Sequence, residues 1–176
     1  MRTGCFRQAG GPYQIRPPLE VHRQVVRQSA VLSAALDRRS VRVDVDSCSD
    51  RLLIASDDVQ TLLFNIFDNC AKYCRPGSTV RVAFSNQGEM YRVSFAMDSL
   101  VIAESEIDEI FRYGIRGERA ESYTRQGQGL GLLLARRIAR GYGGDIRVFP
   151  KPSKRIGDSF SRNRFVIFFP NRMLVR

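Results

Sequence analysis

The sequence predicts an α+β fold, a two-layer α/β sandwich in which a mixed, mostly antiparallel sheet packs on about three helices. Three observations carry this expectation. Apolar residues recur at helical spacing in the segments 19–36, 58–73 and 130–142. Val- and Phe-rich alternating runs stand between and after these segments. Two of those runs, around Val80 to Phe84 and Tyr91 to Met97, are joined by Asn86-Gln87-Gly88, which reads as a hairpin turn.

In chain order, Leu19, Val21, Val25, Val26, Leu32 and Leu36 place one amphipathic helix over 19–36, with His22 on its surface. Val41, Val43 and Val45 alternate with polar residues as a half-buried strand, and Leu52 to Ile54 reads as its short neighbour. Ser56 and Asp57 supply N-cap chemistry for a helix over 58–73, which Arg75-Pro76-Gly77 ends. Its apolar face is Val59, Leu62, Leu63, Ile66, Phe67, Cys70 and Tyr73. After the hairpin come a short helix around 105–111, a polar loop from Arg112 to Gln128, and a helix over 130–142 stopped by Gly143-Gly144. Ile146 to Phe149 and Phe165 to Phe169 are the last strands.

With 176 residues the chain suffices for one core. A composition of 43% apolar and 26% charged residues is globular, and no stretch approaches the roughly 20 apolar residues of a membrane helix. Residues 1–18 are expected as a flexible lead-in without the apolar run of a signal peptide, 19–170 as the folded domain and 171–176 as a tail. Cys5, Cys48, Cys70 and Cys74 form no C-x-x-C pair and His22 stands alone, so no zinc site is expected. Cys70 and Cys74, four apart on a helix, read as small apolar residues near the core, and a reduced cytoplasmic setting follows.

The net charge of +10 raises nucleic acid as a partner. The arginines are scattered, however. The densest cluster, Lys151 to Arg155 with Arg162 and Arg164, lies in a Pro- and Ser-rich stretch without interleaved aromatics, so it reads as a solvated basic loop and no nucleic acid is expected.

Two segments carry chemistry. On a helix, Asn65, Asn69 and Lys72 fall at i, i+4 and i+7 and form one stripe, with Asp68 beside them. Asparagine is a poor mid-helix residue, and a site that needs carboxamide oxygens for a hard cation and an ammonium for phosphate would offset that cost. The second segment is Gly127-Gln128-Gly129-Leu130-Gly131-Leu132 at a helix start, where glycines admit a close ligand and free amides favour phosphate.

Together these segments resemble the GHKL superfamily of ATPases (gyrase, histidine kinases and mismatch-repair proteins), and most closely its histidine-kinase branch. The Asn69 segment is similar to that family's N box and Gly127 to Leu132 to its second glycine box. Ile110-Phe111 and Arg116-Gly117 resemble the intervening I-F-x-x-F-x-R-G segment, and Gly143 to Val148 the glycine-led entry to the next strand. The resemblance implies a Bergerat-type ATP-binding fold. It also implies that Asn69 binds Mg²⁺ with Asn65 lining the site, that Asp68 orients or activates the nucleophile, and that Lys72 contacts phosphate. Tyr73 would lie near the base, Arg116 and Gly117 would belong to a lid over 112–128, and Gly127, Gly129 and Gly131 with the amides of Leu130 and Leu132 would cradle the phosphates of ATP.

The chain departs from the family at its first glycine box, D-x-G-x-G, whose Asp binds the adenine amino group. Ungapped alignment puts Met97 at the Asp, Ser99 at the first Gly and Val101 at the second. Strand alternation points Asp98 to the opposite face, and a one-residue bulge would be needed to bring it into the site. The resemblance therefore implies the ATP-binding catalytic domain of a two-component sensor histidine kinase with an altered base pocket. The alternative is a pseudokinase-like interaction module. Its partners would be a histidine phosphoacceptor and dimerisation domain and, indirectly, a response regulator. The location would be cytoplasmic, with any membrane contact made through other parts of a longer protein.

Overall fold

The computed structural model describes residues 19–49, 51–54, 57–124 and 127–175. The expected lead-in, Cys5 and Ser56 lie outside them. Chain order gives β1 (Leu19–Glu20), α1 (Val21–Val31), α2 (Ser33–Asp37), β2 (Arg42–Val45), β3 (Arg51–Ile54) and α3 (Asp58–Tyr73). Then follow β4 (Thr79–Gln87), β5 (Met90–Leu100), two 3-10 turns (Glu104–Glu106 and Glu109–Phe111), α4 (Glu118–Tyr123), α5 (Gly131–Gly141), β6 (Asp145–Ile156), β7 (Phe160–Pro170) and β8 (Leu174–Val175).

A five-stranded sheet in the order β2-β4-β5-β7-β6 forms one layer, with β2 parallel to β4 and the remaining pairs antiparallel. Helices α1, α3 and α5 form the other, so the mixed, mostly antiparallel two-layer sandwich is the observed fold. Helix α3 is its keel. Val59, Leu62, Leu63, Ile66, Phe67 and Cys70 are all 2% exposed or less, and they meet Val80, Val82, Val93, Phe95 and Ile167 from the sheet. Burying side chains of this size contributes about 1.5–3 kcal/mol each. The Phe67 ring meets Phe95 edge-on at 5.5 Å between centroids.

Several expectations change. The single helix over 19–36 is a short strand and two helices, broken at Leu32; the turn after α2 is closed by Val41 N donating to Leu36 O, and both residues are buried in the core. His22 is half-buried against Phe84 rather than free on the surface. Strand β3 is not the neighbour of β2. It pairs with β1 and β8, so residues 174–175 of the expected tail form a strand.

The Arg112–Gln128 loop contains helix α4. The basic stretch Lys151 to Arg155 is strand rather than loop. Its prolines are tolerated because β6 is the sheet edge, where a missing amide leaves no ladder bond unmade, and a register shift between Lys151 and Arg155 absorbs the irregularity.

Candidate functional site

Helix α3, the end of β5, the segment 106–120 and the start of α5 enclose a cavity of about 280 Å³. Every site residue expected from the sequence except Asp98 lines it: Asn65, Asp68, Asn69, Lys72, Tyr73, Met97, Arg116, Gly117, Gly127, Gly129, Leu130, Gly131 and Leu132. Asp98 is corrected. The β5–β7 register runs without a bulge from Met90 to Leu100, so Asp98 stays on the outer face. There its carboxylate accepts from Arg162 Nε at 3.1 Å and lies 3.7 Å from Arg75 Nη2.

The α3 stripe holds the polar wall. Asn65 Nδ2 donates to Thr61 O at 2.8 Å, which satisfies the amide within its own helix. Lys72 Nζ pairs with Asp68 Oδ2 at 2.5 Å, one turn apart. The expected phosphate ligand and the expected nucleophile-orienting carboxylate thus pair, leaving Lys72 two further N–H donors and Asp68 a second carboxylate oxygen for a ligand. Asn69 Nδ2 is buried without a hydrogen-bond partner, as is Arg116 Nε. Buried unpaired donors are costly, which makes both natural points of contact for an anionic ligand.

The glycine turn is fixed by close approaches. A Cβ on Gly129 would stand 2.7 Å from Gly114 C and Ile115 O, and its φ of +69° is itself hostile to other residues. A Cβ on Gly131 would stand 2.9 Å from Asn65 Oδ1. The turn is therefore seated between the 114–115 backbone on one side and α3 on the other, and Leu130, Gly131 and Leu132 at the start of α5, where helix amides lack intrahelical partners, line the cavity.

The segment over the cavity is tied at several points. Glu106 Oε1 accepts from Glu118 N at 2.7 Å and its Oε2 from Ala103 N at 2.8 Å. Arg116 Nη2 donates to Ala120 O and Thr124 O, closing the C-terminal carbonyls of α4. Arg39 donates to Lys72 O at 2.5 Å and Cys74 O at 2.9 Å and also to the Tyr123 hydroxyl, joining the end of α3 to α4.

The opposite wall is apolar: Met97, Leu100, Val101, Ile102, Ile110 and Phe165. Met97 Sδ accepts from Cys70 Sγ at 3.9 Å, and the neighbouring Cys74 thiol together with burial pushes the Cys70 thiol well above its usual range. The cysteines are thus core residues, as the sequence predicts. Behind this wall lies a polar group that the sequence reading missed. Asn163, 0% exposed, stands directly opposite Met97 and donates to Ser99 Oγ and to Leu100 O, both at 2.9 Å. The signal was available, because Asn163 has the inward parity of Phe165, Ile167 and Phe169.

Residues 54–173 match the family of histidine kinase-, DNA gyrase B-, and HSP90-like ATPases, and the chain belongs to that family. The chain is 29% identical over 119 residues to the sensor-like histidine kinase SenX3 of Mycobacterium tuberculosis H37Rv, covering 67% of this chain and 29% of that protein. It is 30% identical over 106 residues to the aerobic respiration control sensor protein ArcB of Escherichia coli K12, covering 58% and 13%. The match thus spans less than a third of the length of these curated relatives.

Among solved structures, the mycobacterial sensor histidine kinase MprB superposes with a TM-score of 0.67 at 20% identity, covering 87% of this chain and 97% of that one. The catalytic domain of histidine kinase ThkA does so at 0.66 and 15%, covering 87% and 94%. No described helix is long and apolar enough to cross a membrane.

Proposed function

We propose that this chain is the nucleotide-binding catalytic domain of a two-component sensor histidine kinase. In this reading it passes the γ-phosphoryl group of ATP to a histidine on a separate phosphoacceptor and dimerisation domain, which in turn serves a response regulator. The observation that carries the reading is the convergence of Asn69, Lys72, Arg116 and the first turn of α5 on one cavity, with two of their donors buried and unpaired.

This half of the cavity fits a Mg²⁺-bound triphosphate. No cluster of three acidic, His or Cys ligands exists among the described residues, so a cation would be held by the Asn69 carboxamide together with phosphate oxygens, and it would neutralise phosphate charge. Lys72 and Arg116 bind the phosphates, and the glycine turn supplies backbone amides. Asp68, held by Lys72 through one carboxylate oxygen, orients the incoming imidazole with the other. Positioning and charge neutralisation of this kind account for most of the acceleration in phosphoryl transfer.

The base half fits adenine less well. Met97, Ser99 and Val101 line the wall where the family has its Asp and two glycines. That observation favours, as a second reading, a pseudokinase-like module that keeps the fold and acts through protein contacts. Incubating the chain with labelled ATP, Mg²⁺ and a histidine-phosphoacceptor domain separates the two. Acid-labile, alkali-stable phosphate on the acceptor supports the kinase; binding without any transfer supports the module.

A further inference from the structure

Helices cover one face of the five-stranded sheet, and the opposite face gathers basic residues that lie far apart in the chain. Strand alternation turns Val80, Val82, Val93 and Phe95 toward α3. It turns Arg81, Arg92, Arg162 and Arg164 the other way, with Arg147 and Lys151 beside them on the edge strand β6. The acidic residues on this face are few. Asp98 is held by Arg162 and Arg75, Asp145 by Arg136 and Arg140, and Asp44 stands opposite Arg81 in the β2–β4 register. Arg81, Lys151 and Arg164 are exposed and have no ion-pair partner among the described residues.

Two aromatic rings lie among these charges. The Arg164 guanidinium sits over Phe149 at 5.2 Å from its centroid, and Arg92 and Arg147 sit over Phe168 at 5.5 and 5.3 Å. Phe149 remains exposed, and Ala83, Ser94 and Ala96 form a floor of small side chains between the charged ones. The expectation of no nucleic acid rested on arginines scattered along the chain and on a basic stretch without interleaved aromatics. Folding removes both grounds.

We propose that the outer face of the sheet binds single-stranded nucleic acid. Arg81 and Arg164 stand two strands apart, about 10 Å between their backbones, which is too far for one phosphate and suits a polymer with a charge on every unit. Guanidinium planes and an exposed ring on an open sheet are platforms on which unpaired bases stack. A bilayer would require apolar side chains projecting beyond the charges, whereas here the rings lie beneath guanidinium groups and the floor is flat. The face lies across the sheet from the cavity, so the proposal stands apart from the nucleotide reading.

The test is fluorescence anisotropy of the full chain with labelled oligothymidylate of about 12 residues, the duplex of the same length, and vesicles of phosphatidylserine and phosphatidylcholine as competitor. The single strand should bind more tightly than the duplex, with a log–log salt slope of about −3, the value for roughly four phosphates neutralised. Arg81→Gln with Lys151→Gln and Arg164→Gln should weaken binding at least about tenfold and reduce that slope by about two. Arg23→Gln with Arg27→Gln and Arg38→Gln removes the same charge from exposed helical positions and should leave affinity within about threefold. Phe149→Ala should weaken binding at least about fivefold through lost stacking. Melting temperatures verify that each variant is folded. Equal weakening by the two triple variants would reduce the effect to net charge and overturn the proposal. Absence of oligonucleotide binding at about 50 mM salt, duplex binding as tight as single-strand binding, or displacement by vesicles that bind more tightly also overturns it.

Discussion

Asp98 stands directly opposite Arg162 in the β5–β7 register and accepts from its Nε at 3.1 Å on the outer face of the sheet. Strand parity and this pair hold the Asp98 carboxylate outside the cavity, so the end of β5 lines it with Met97, Ser99 and Leu100. Arg162 is 60% exposed, so the ion pair contributes at most about 1 kcal/mol. Asp98→Ala should therefore lower stability by no more than that in urea unfolding while leaving nucleotide affinity unchanged. A large loss of affinity would mean that Asp98 serves the site.

The glycine turn makes a sharper prediction. Because a Cβ at Gly129 meets backbone at 2.7 Å and the residue has φ +69°, Gly129→Ala combines left-handed strain with overpacking. The cost is about 2–4 kcal/mol, or roughly 5–15 °C in melting temperature. Gly77, also at positive φ but with open space around its missing Cβ, should lose much less on the same substitution. Thermal unfolding of the two variants side by side separates close packing from backbone strain.

Asp145 anchors α5 to β6. Burial alone would raise its carboxyl, but the Arg136 hydrogen bond at 2.8 Å, the Ile146 amide, the Arg136 charge and Arg140 together hold it below the ordinary value. A carboxyl lowered in the folded state stabilises the fold above its unfolded pKa of ~3.9, and this stabilisation is lost as pH falls through the folded value. Asp145→Asn should thus cost about 1–2 kcal/mol at neutral pH, and the difference from wild type should close as pH falls below the unfolded pKa and through the lower folded one. Urea unfolding at a series of pH values reads both limits.

Restoring the family pattern at the base wall should restore its usual ligand. Met97→Asp with Ser99→Gly and Val101→Gly adds a charge-assisted hydrogen bond worth about 1.5–3 kcal/mol and should tighten ATP roughly 10- to 150-fold. Thermal unfolding checks that the added glycines leave the domain folded. A folded triple variant that binds ATP no better than wild type would show that something other than these three side chains closes the pocket.

What was legible in the sequence was local. The apolar spacing of α3, the Asn65–Asn69–Lys72 stripe and the glycine turn before α5 each lie within a few residues, and strand parity alone sent Asp98 outward. The partners of β3 were not legible, because its four apolar or basic residues match any edge. The strand through Pro150 and Pro152 was hidden because proline signals a loop until the strand is known to be an edge. The Ser99–Asn163 contact joins residues 64 apart and becomes visible only once β5 and β7 are in register.

Nucleotide binding through Asn69 tests the account most directly. Isothermal titration of wild type and Asn69→Ala with nucleoside triphosphate, with and without Mg²⁺, needs no acceptor domain and no assumption about the base. The account predicts that Mg²⁺ tightens binding to wild type and that this dependence disappears in Asn69→Ala, with melting temperatures matching. Equal affinity and equal Mg²⁺ dependence in the two proteins would contradict it.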